Sequence, residues 1–437
     1  VGKQAGLRFS LFRPGVPGST SACEITLETV TQDNPLITLL KGLHQNERFL
    51  ILVAFLIGLL SPILPEQYAA LWGLIPLLAF EARCRSASFL VSLFFYLGLS
   101  RGIVPGAYVF FRDGSLIRAL VLWVSSAIGL AMPYAILYPA QSSPKLSRAL
   151  RLVIAVLASA VPPLGLIGWG SPLVAAGLFF PRTGWIGLGF LLILYGFAVT
   201  WQRFRLALFF VALSLTIVLP VVDVAPPTKW IGIDTEFGRL ASGSADFDEQ
   251  YQRERQVFAE LLRKRRNREF SRVDVVLLPE TLIGRMNPTT QKRWRDFLYH
   301  LDDKKVFIAG AEIPKGRKYD NVMIAFNDPR GQTAIQRWPV PFSMYRPFSK
   351  WGANADILSL GQNSLMDFGG EQVGFLVCYE QFLTWPFLTL MTFNLEMLAT
   401  PANFWWCRDT TLPAVRERTL KLLSVLFDIP LVSAVNM

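Results

Sequence analysis

Val373-Gly374-Phe375-Leu376-Val377-Cys378-Tyr379-Glu380 is an apolar run that ends in a thiol and a carboxylate. A short hydrophobic strand that delivers a cysteine to its polar end is one way a fold presents a nucleophile, because the strand fixes the backbone while the loop admits substrate. Taken alone, Cys378 reads first as a small buried hydrophobe, as free cysteines generally are. The segments around it decide between the two.

Upstream, Val273-Asp274-Val275-Val276-Leu277-Leu278 is a second β-branched run, and it ends at Pro279-Glu280-Thr281. A glutamate just past a buried strand is placed to be held partly desolvated, which raises its pKa toward that of a useful base. Glu280 alone reads equally as a solvated loop acid. Between and around these runs, strands and helices alternate: a strand over 229–234, a charged amphipathic helix over 247–268, a helix near 290–302, and strands over 306–310 and 321–327. After Cys378 come a strand over 393–398, a helix near 414–427 and a final strand over 430–435. This alternation predicts a layered α/β domain over 230–437 with its site at strand ends.

Before it, residues 224–229, rich in proline, read as a linker, and 46–223 carry seven apolar stretches: 49–64, 67–81, 88–110, 117–139, 150–168, 183–200 and 205–222. Several approach the ~20 residues that cross a bilayer, so the expectation is a transmembrane domain of about seven helices. Lys41 and Arg48, Arg83 and Arg85, Lys145, Arg148 and Arg151, and Arg203 and Arg205 mark alternate loops as cytoplasmic. Arg101 and Arg112, in the loop after the third span, depart from that pattern. An odd number of spans from a cytoplasmic start then sets the C-terminal domain in the periplasm of a bacterial inner membrane. The Pro- and Gly-rich stretch Val161 to Pro172 reads either as broken backbone lining a cleft or as an interfacial loop anchored by Trp169. Residues 1–45 read as a flexible cytoplasmic arm, and a chain that opens on Val1 suggests a product longer than the 437 residues here.

Composition narrows the chemistry. Two histidines, His44 and His300, leave little room for a His-based metal site or a Ser-His-Asp triad. Four cysteines without CxxC spacing indicate neither a zinc knuckle nor a disulfide scaffold, so no metal or cofactor is expected. The net charge of +11 suits cytoplasmic loops facing anionic lipid. The one dense basic cluster, Arg263 to Arg268, reads as a solvated helix face, so direct nucleic-acid binding is not expected.

Leu278-Pro279-Glu280-Thr281 and Val377-Cys378-Tyr379-Glu380, in this order, resemble the Glu and Cys motifs of the nitrilase (carbon-nitrogen hydrolase) superfamily. Ala309-Gly310-Ala311-Glu312, Tyr319-Asp320-Asn321, Val340-Pro341-Phe342, Asn403-Phe404-Trp405 and the helix with Arg416 and Arg418 extend the resemblance. It implies an αββα sandwich. A multi-span domain ahead of such a domain is similar to apolipoprotein N-acyltransferase. Gln336-Arg337-Trp338-Pro339-Val340-Pro341-Phe342-Ser343-Met344 and Ser100 to Gly106 resemble the TraB-type conjugal transfer proteins more closely. The superfamily's Glu-Lys-Cys triad is incomplete: Gln336 stands at the lysine position and Met344 where the acyltransferases carry a glutamate. Those enzymes also continue past the strand that ends this chain, which implies a C-terminus that is clipped or a branch that ends early.

The resemblance implies a mechanism in which Glu280 takes the proton of Cys378, the thiolate attacks an ester or amide, and the thioester passes to an amine or water. Arg337 is the candidate cation for the oxyanion, although period-2 alternation turns it away if Gln336 faces the site. Arg346 or Lys350 could fold back in its stead. Glu380, Gln336, Tyr379, Trp405 and Trp406 are the candidate supporting or pocket residues. The implied partners are the phospholipid bilayer, a lipid acyl donor with an amine acceptor, and proteins of a conjugation apparatus. Three readings stay open: a Cys-dependent acyltransferase or amidase, a catalytically impaired docking component of a plasmid-transfer apparatus, and an apolipoprotein N-acyltransferase.

Overall fold

The computed structural model describes residues 45–111, 114–140, 142–239 and 247–437. The expected N-terminal arm lies outside the described residues except for Gln45. Each of the seven apolar stretches forms helix. They are α1 (Gln45–Leu60), a 3-10 segment Glu66–Leu74 running into α2 (Ile75–Glu81), α3 (Arg85–Leu99) with α4 (Ile103–Phe111), α5 (Leu116–Ile136), α6 (Lys145–Ala160), α8 (Trp185–Thr200) and α9 (Gln202–Val218). A four-residue helix, α7 (Ala176–Phe179), precedes α8.

Their lengths do not carry the expected seven spans. Among the described residues, α5 is the one helix long and apolar enough to cross a membrane by itself, and α3 with α4, bent by 55°, qualifies as a pair. The reason is local. Pro76 restarts the second stretch, Ser100-Arg101-Gly102 breaks the third, and Val161-Pro162-Pro163 ends the fifth at Ala160. A 16-residue helix such as α6 or α8 rises only ~24 Å at 1.5 Å per residue, against a hydrocarbon core of ~30 Å.

From Trp230 the chain builds two sheets. The first has the order β1 (Trp230–Gly232), β2 (Val275–Leu277), β4 (Val306–Lys315), β5 (Lys318–Phe326), β6 (Thr333–Ile335), with β3 (Gly284–Arg285) on β4 and β7 (Gly352–Ala353) on β5. The second has the order β11 (Leu431–Asn436), β10 (Met397–Asn403), β9 (Glu371–Phe375), β8 (Leu365–Phe368). Alternation sorts the layers. Val276, Phe307, Ala309, Val322 and Ile324 face Val257, Leu261, Trp294 and Leu298 of α10 (Phe247–Arg266) and α11 (Pro288–Leu301). Their neighbours Val275, Leu277, Ile308, Met323 and Ala325 join Met366, Val373, Phe375 and Leu398 of the second sheet in another core. Against that sheet lie α12 (Thr384–Leu390) and α13 (Leu412–Phe427). This is the four-layer αββα arrangement expected.

The helical half and the sandwich share one hydrophobic core, which runs from Ile51 and Trp72 through Leu422 to Val435. At Gly177 a β-carbon would stand 1.9 Å from the Leu422 carbonyl, so only glycine lets α7 lie backbone to backbone on α13. The amides of Arg182 and Gly184 donate to the carbonyls of Val425 and Leu426 at 2.8 and 2.7 Å.

Candidate active site

The strand β2 continues as Leu278-Pro279-Glu280, and Glu280 is buried. The approach is close: a β-carbon on Gly310 of β4 would lie 2.3 Å from the Thr281 amide nitrogen. The turn is strained as well, since Thr281, a β-branched residue, has φ +55°. Strand β9 runs on to Cys378, which opens a 3-10 turn (Cys378–Phe382), is buried and has φ +50°. Backbone strain of this kind persists only where the surroundings hold it, and it concentrates at functional turns.

The two strand ends meet. The carboxyl of Glu280 and the thiol of Cys378 interact electrostatically, and the Sγ of Cys378 lies 4.0 Å from the Asn403 carbonyl, to which it donates. Asn321 Nδ2 of β5 donates to Glu280 Oε1 at 2.6 Å and to Gln336 Oε1 at 2.8 Å. Gln336 Nε2 donates to the Val377 carbonyl at 2.9 Å, beside the cysteine. The structure therefore gathers Glu280, Gln336 and Cys378 around Asn321. Asn321 lies in the Tyr319-Asp320-Asn321 motif, which by itself assigns it no role. Its bridging depends on β5 closing on the segment after β6, which no local pattern announces.

Burial dominates the electrostatics. It raises Glu280 to about 7, against lowering by the neighbouring Cys378 thiol and by the hydrogen bond from Asn321, with further raising by Glu312 and Glu380. Burial also pushes the Cys378 thiol well above its usual value, and the charge of Glu280 adds to that effect. The pair therefore favours a shared proton over a free thiolate.

Arg337 is placed elsewhere. Gln336 faces the site, and the next side chain turns the other way, as alternation requires. Its Nη1 donates to Thr389 Oγ1 at 2.9 Å, its Nη2 to the Pro386 carbonyl at 3.0 Å, and its Nε lies 3.8 Å from Glu380 Oε1. Glu380, wholly buried, accepts from the amides of Arg337 and Trp338 through Oε1 and of Val377 through Oε2, at 2.8–3.0 Å. It thus clasps the segment after β6 to the cysteine turn. Burial raises its carboxyl, and the Arg337 charge opposes the rise. Of the two cations that could have folded back, Arg346 binds the Ser343 carbonyl at 2.9 Å, and Lys350 is exposed.

Two of the three aromatic candidates, Tyr379 and Trp406, line a cavity beside the cysteine turn. Tyr379 donates its hydroxyl to the Leu166 carbonyl at 2.6 Å, and its ring meets Trp169 edge-on at 5.5 Å. The stretch Val161 to Pro172 thus forms short 3-10 turns that pack on the cysteine turn. A cavity of about 280 Å³ opens beside it, lined by Ala107, Phe111, Leu122, Trp169, Tyr379 and Trp406 among others. Trp405 stays outside this lining and stacks on Phe110 at 6.0 Å, with the Arg239 guanidinium over the Trp405 ring at 5.5 Å. Among the described residues no group of three or more His, Cys, Asp or Glu could hold a metal ion.

No protein-family model matches the chain. It is 30% identical over 385 residues to the conjugal transfer protein TraB of Agrobacterium fabrum, covering 83% of this chain and 86% of that one. It is 28% identical over 404 residues to the probable conjugal transfer protein TraB of Sinorhizobium fredii, covering 90% and 99%. Among solved structures, a carbon-nitrogen hydrolase from Helicobacter pylori aligns with 14% identity and a TM-score of 0.34 over 47% of this chain and 72% of that one. The nitrilase-superfamily amidase of Nesterenkonia sp. AN1 aligns with 11% identity and a TM-score of 0.28 over 41% and 68%.

Proposed function

This chain belongs to the family of TraB conjugal transfer proteins, and we propose that it is a membrane-embedded, Cys-dependent acyltransferase or amidase. Cys378 is the nucleophile and Glu280 its base. The observation that carries this reading is that two strand ends bring the buried Glu280 and Cys378 together, with Asn321 and Gln336 bridging them, next to an apolar cavity that reaches Tyr379.

In the first step the thiol proton passes to Glu280 and sulfur bonds to the carbonyl carbon of an ester or amide. The opening amides of a 3-10 turn have no intrahelical acceptor, so those of Cys378 and Tyr379 are the donors available to the oxyanion. Collapse expels the alcohol or amine, which takes the proton from Glu280 and leaves a thioester on Cys378. An amine or water, deprotonated by Glu280, then releases the acyl group. Gln336 supplies a neutral amide where the superfamily has a cation, and loss of one oxyanion donor is worth about 3 kcal/mol, or roughly two orders of magnitude in rate. Slow turnover follows.

A lipid acyl donor suits the site because the cavity walls are helical residues such as Ala107, Phe111 and Leu122. The outward faces of five helices support the membrane reading: Phe49 on α1, Ile117 and Val121 on α5, Leu146 on α6, Ile186 on α8 and Val218 on α9 are exposed apolar side chains. Placing this site at the periplasmic face of the inner membrane rests on the charge of the alternate loops.

Incubation of the purified chain with a radiolabelled acyl-phospholipid tests the reading. The expected result is label on the protein that is released by neutral hydroxylamine and lost in Cys378→Ala. Wild-type protein that neither labels nor reacts with a thiol-directed probe would sink it. Gln336 favours a second reading, a docking component of the transfer apparatus that keeps the fold without the chemistry. That reading requires Cys378→Ser and Glu280→Gln to support conjugation at wild-type frequency.

A further inference from the structure

Between β6 and β8 the chain makes a long loop over 339–360 whose surface is unlike that of a water-facing loop. Phe348 is fully exposed, and Phe342, Trp351 and Leu358 are mostly exposed. Loops in water normally show small polar residues, whereas aromatic side chains beside cations are the composition of a lipid interface. The loop is held against a basic hairpin tip. Gly352 and Ala353 of β7 pair with Lys318 and Tyr319 of β5, and Arg317 lies over the Trp351 ring at 5.8 Å. Together, 315–320 and 339–360 carry five basic residues, Lys315, Arg317, Lys318, Arg346 and Lys350, against two acidic ones, Asp320 and Asp356. Asp320 is held by Asn354 at 2.6 Å and by Lys315 at 3.9 Å.

The same loop meets the helix that can span a membrane. Val340, Pro341, Phe342 and Ser343 share the apolar cavity with Leu122, Ser125 and Ser126 of α5, which begins at Leu116. Six to ten residues along a helix is ~9–15 Å, so this part of the loop stands beside the first half of α5, a third to half of the way into a ~30 Å hydrocarbon core.

We propose that the loop over 339–360, with the hairpin tip at 315–318, is an interfacial anchor that docks on an anionic phospholipid surface and holds the cavity mouth against it. The anchor rests on the membrane reading above, but not on catalysis. Phe348, Trp351 and Leu358 enter the headgroup and upper acyl region, and the cations meet the lipid phosphates.

The test uses the full chain in nanodiscs whose lipids are brominated near the top of the acyl chain. The chain has twelve tryptophans, so the fluorescence difference between wild type and Trp351→Phe isolates Trp351. The expected result is at least twofold quenching of that difference signal in discs containing phosphatidylglycerol, weakened by Arg317→Glu with Lys350→Glu. An unquenched difference signal alongside quenching of the remaining tryptophans would overturn the anchor and leave the membrane reading standing. Equal quenching in discs of phosphatidylcholine alone, unchanged by the charge reversals, would overturn the anionic preference. No quenching of any tryptophan would overturn both the anchor and the membrane reading.

Discussion

Gln336 holds the place where the superfamily resemblance calls for lysine, and its amide binds Asn321 and the Val377 carbonyl instead. A lysine at this position would lower the Glu280 pKa and favour the thiolate. Gln336→Lys is therefore expected to speed alkylation of Cys378 at pH 7 by about tenfold, one pKa unit's worth, while Gln336→Met leaves it at or below the wild-type rate. Mass spectrometry of the Cys378 peptide after timed iodoacetamide treatment measures both. Glu280 also has a signature in stability. Its folded value of about 7 lies above the usual 4.5, so between these pH values the folded chain holds a proton that the unfolded chain has released. Stability then falls as pH rises through that window, by up to about 3 kcal/mol. Glu280→Gln is expected to flatten the fall in a series of thermal melts from pH 4.5 to 8. At this scale Cys378, Glu280 and the opposed directions of Gln336 and Arg337 were legible from strand ends and period-2 alternation. Asn321 was not, because a bridging amide is defined by three segments far apart in the chain.

Among the elements, the 3-10 turn Cys378–Phe382 is fixed by charge as much as by packing. Glu380 ties three backbone amides and sits against Arg337, both side chains wholly buried. Removing one partner of a buried pair strands the other, so Glu380→Ala is expected to destabilise the chain by about 3–5 kcal/mol, and Glu380→Gln by clearly less because it keeps an acceptor. Differential scanning calorimetry in detergent compares the two. The helix α7 offers a purely steric counterpart. Gly177→Val would push a branched side chain into the Leu422 carbonyl, and overpacking of this kind typically lowers stability by about 1–3 kcal/mol. Positions of most long strands and of α13 followed from periodicity, but the strand expected over 393–398 lies at Met397–Asn403, where the apolar run continues to Asn403, and the short strands β3, β6, β7 and β8 did not stand out from their loops. Helix ends in the first half did not follow from hydrophobicity, because Pro76, Gly102 and Pro162-Pro163 divide runs that are apolar throughout.

Over the whole molecule, an apolar N-terminal half and an alternating C-terminal half were readable from the sequence pattern. The extent of their union was not. One core passes through both halves, Lys421 of α13 pairs with both Glu66 and Asp223, and Arg418 reaches the Leu64 carbonyl. Periodicity reports which face of an element is buried but not against what. Should the helical half be embedded in lipid, alkaline carbonate should leave the full chain in the membrane pellet, while detergent should release it. The tether from Tyr379 to the Leu166 carbonyl has a further consequence, for divisibility. The residue after Cys378 is anchored in the other half of the chain, so the α/β half is not a portable module. Cutting the chain at the linker should leave the two pieces associated. Expressing the second piece alone should leave its cysteine turn without a wall.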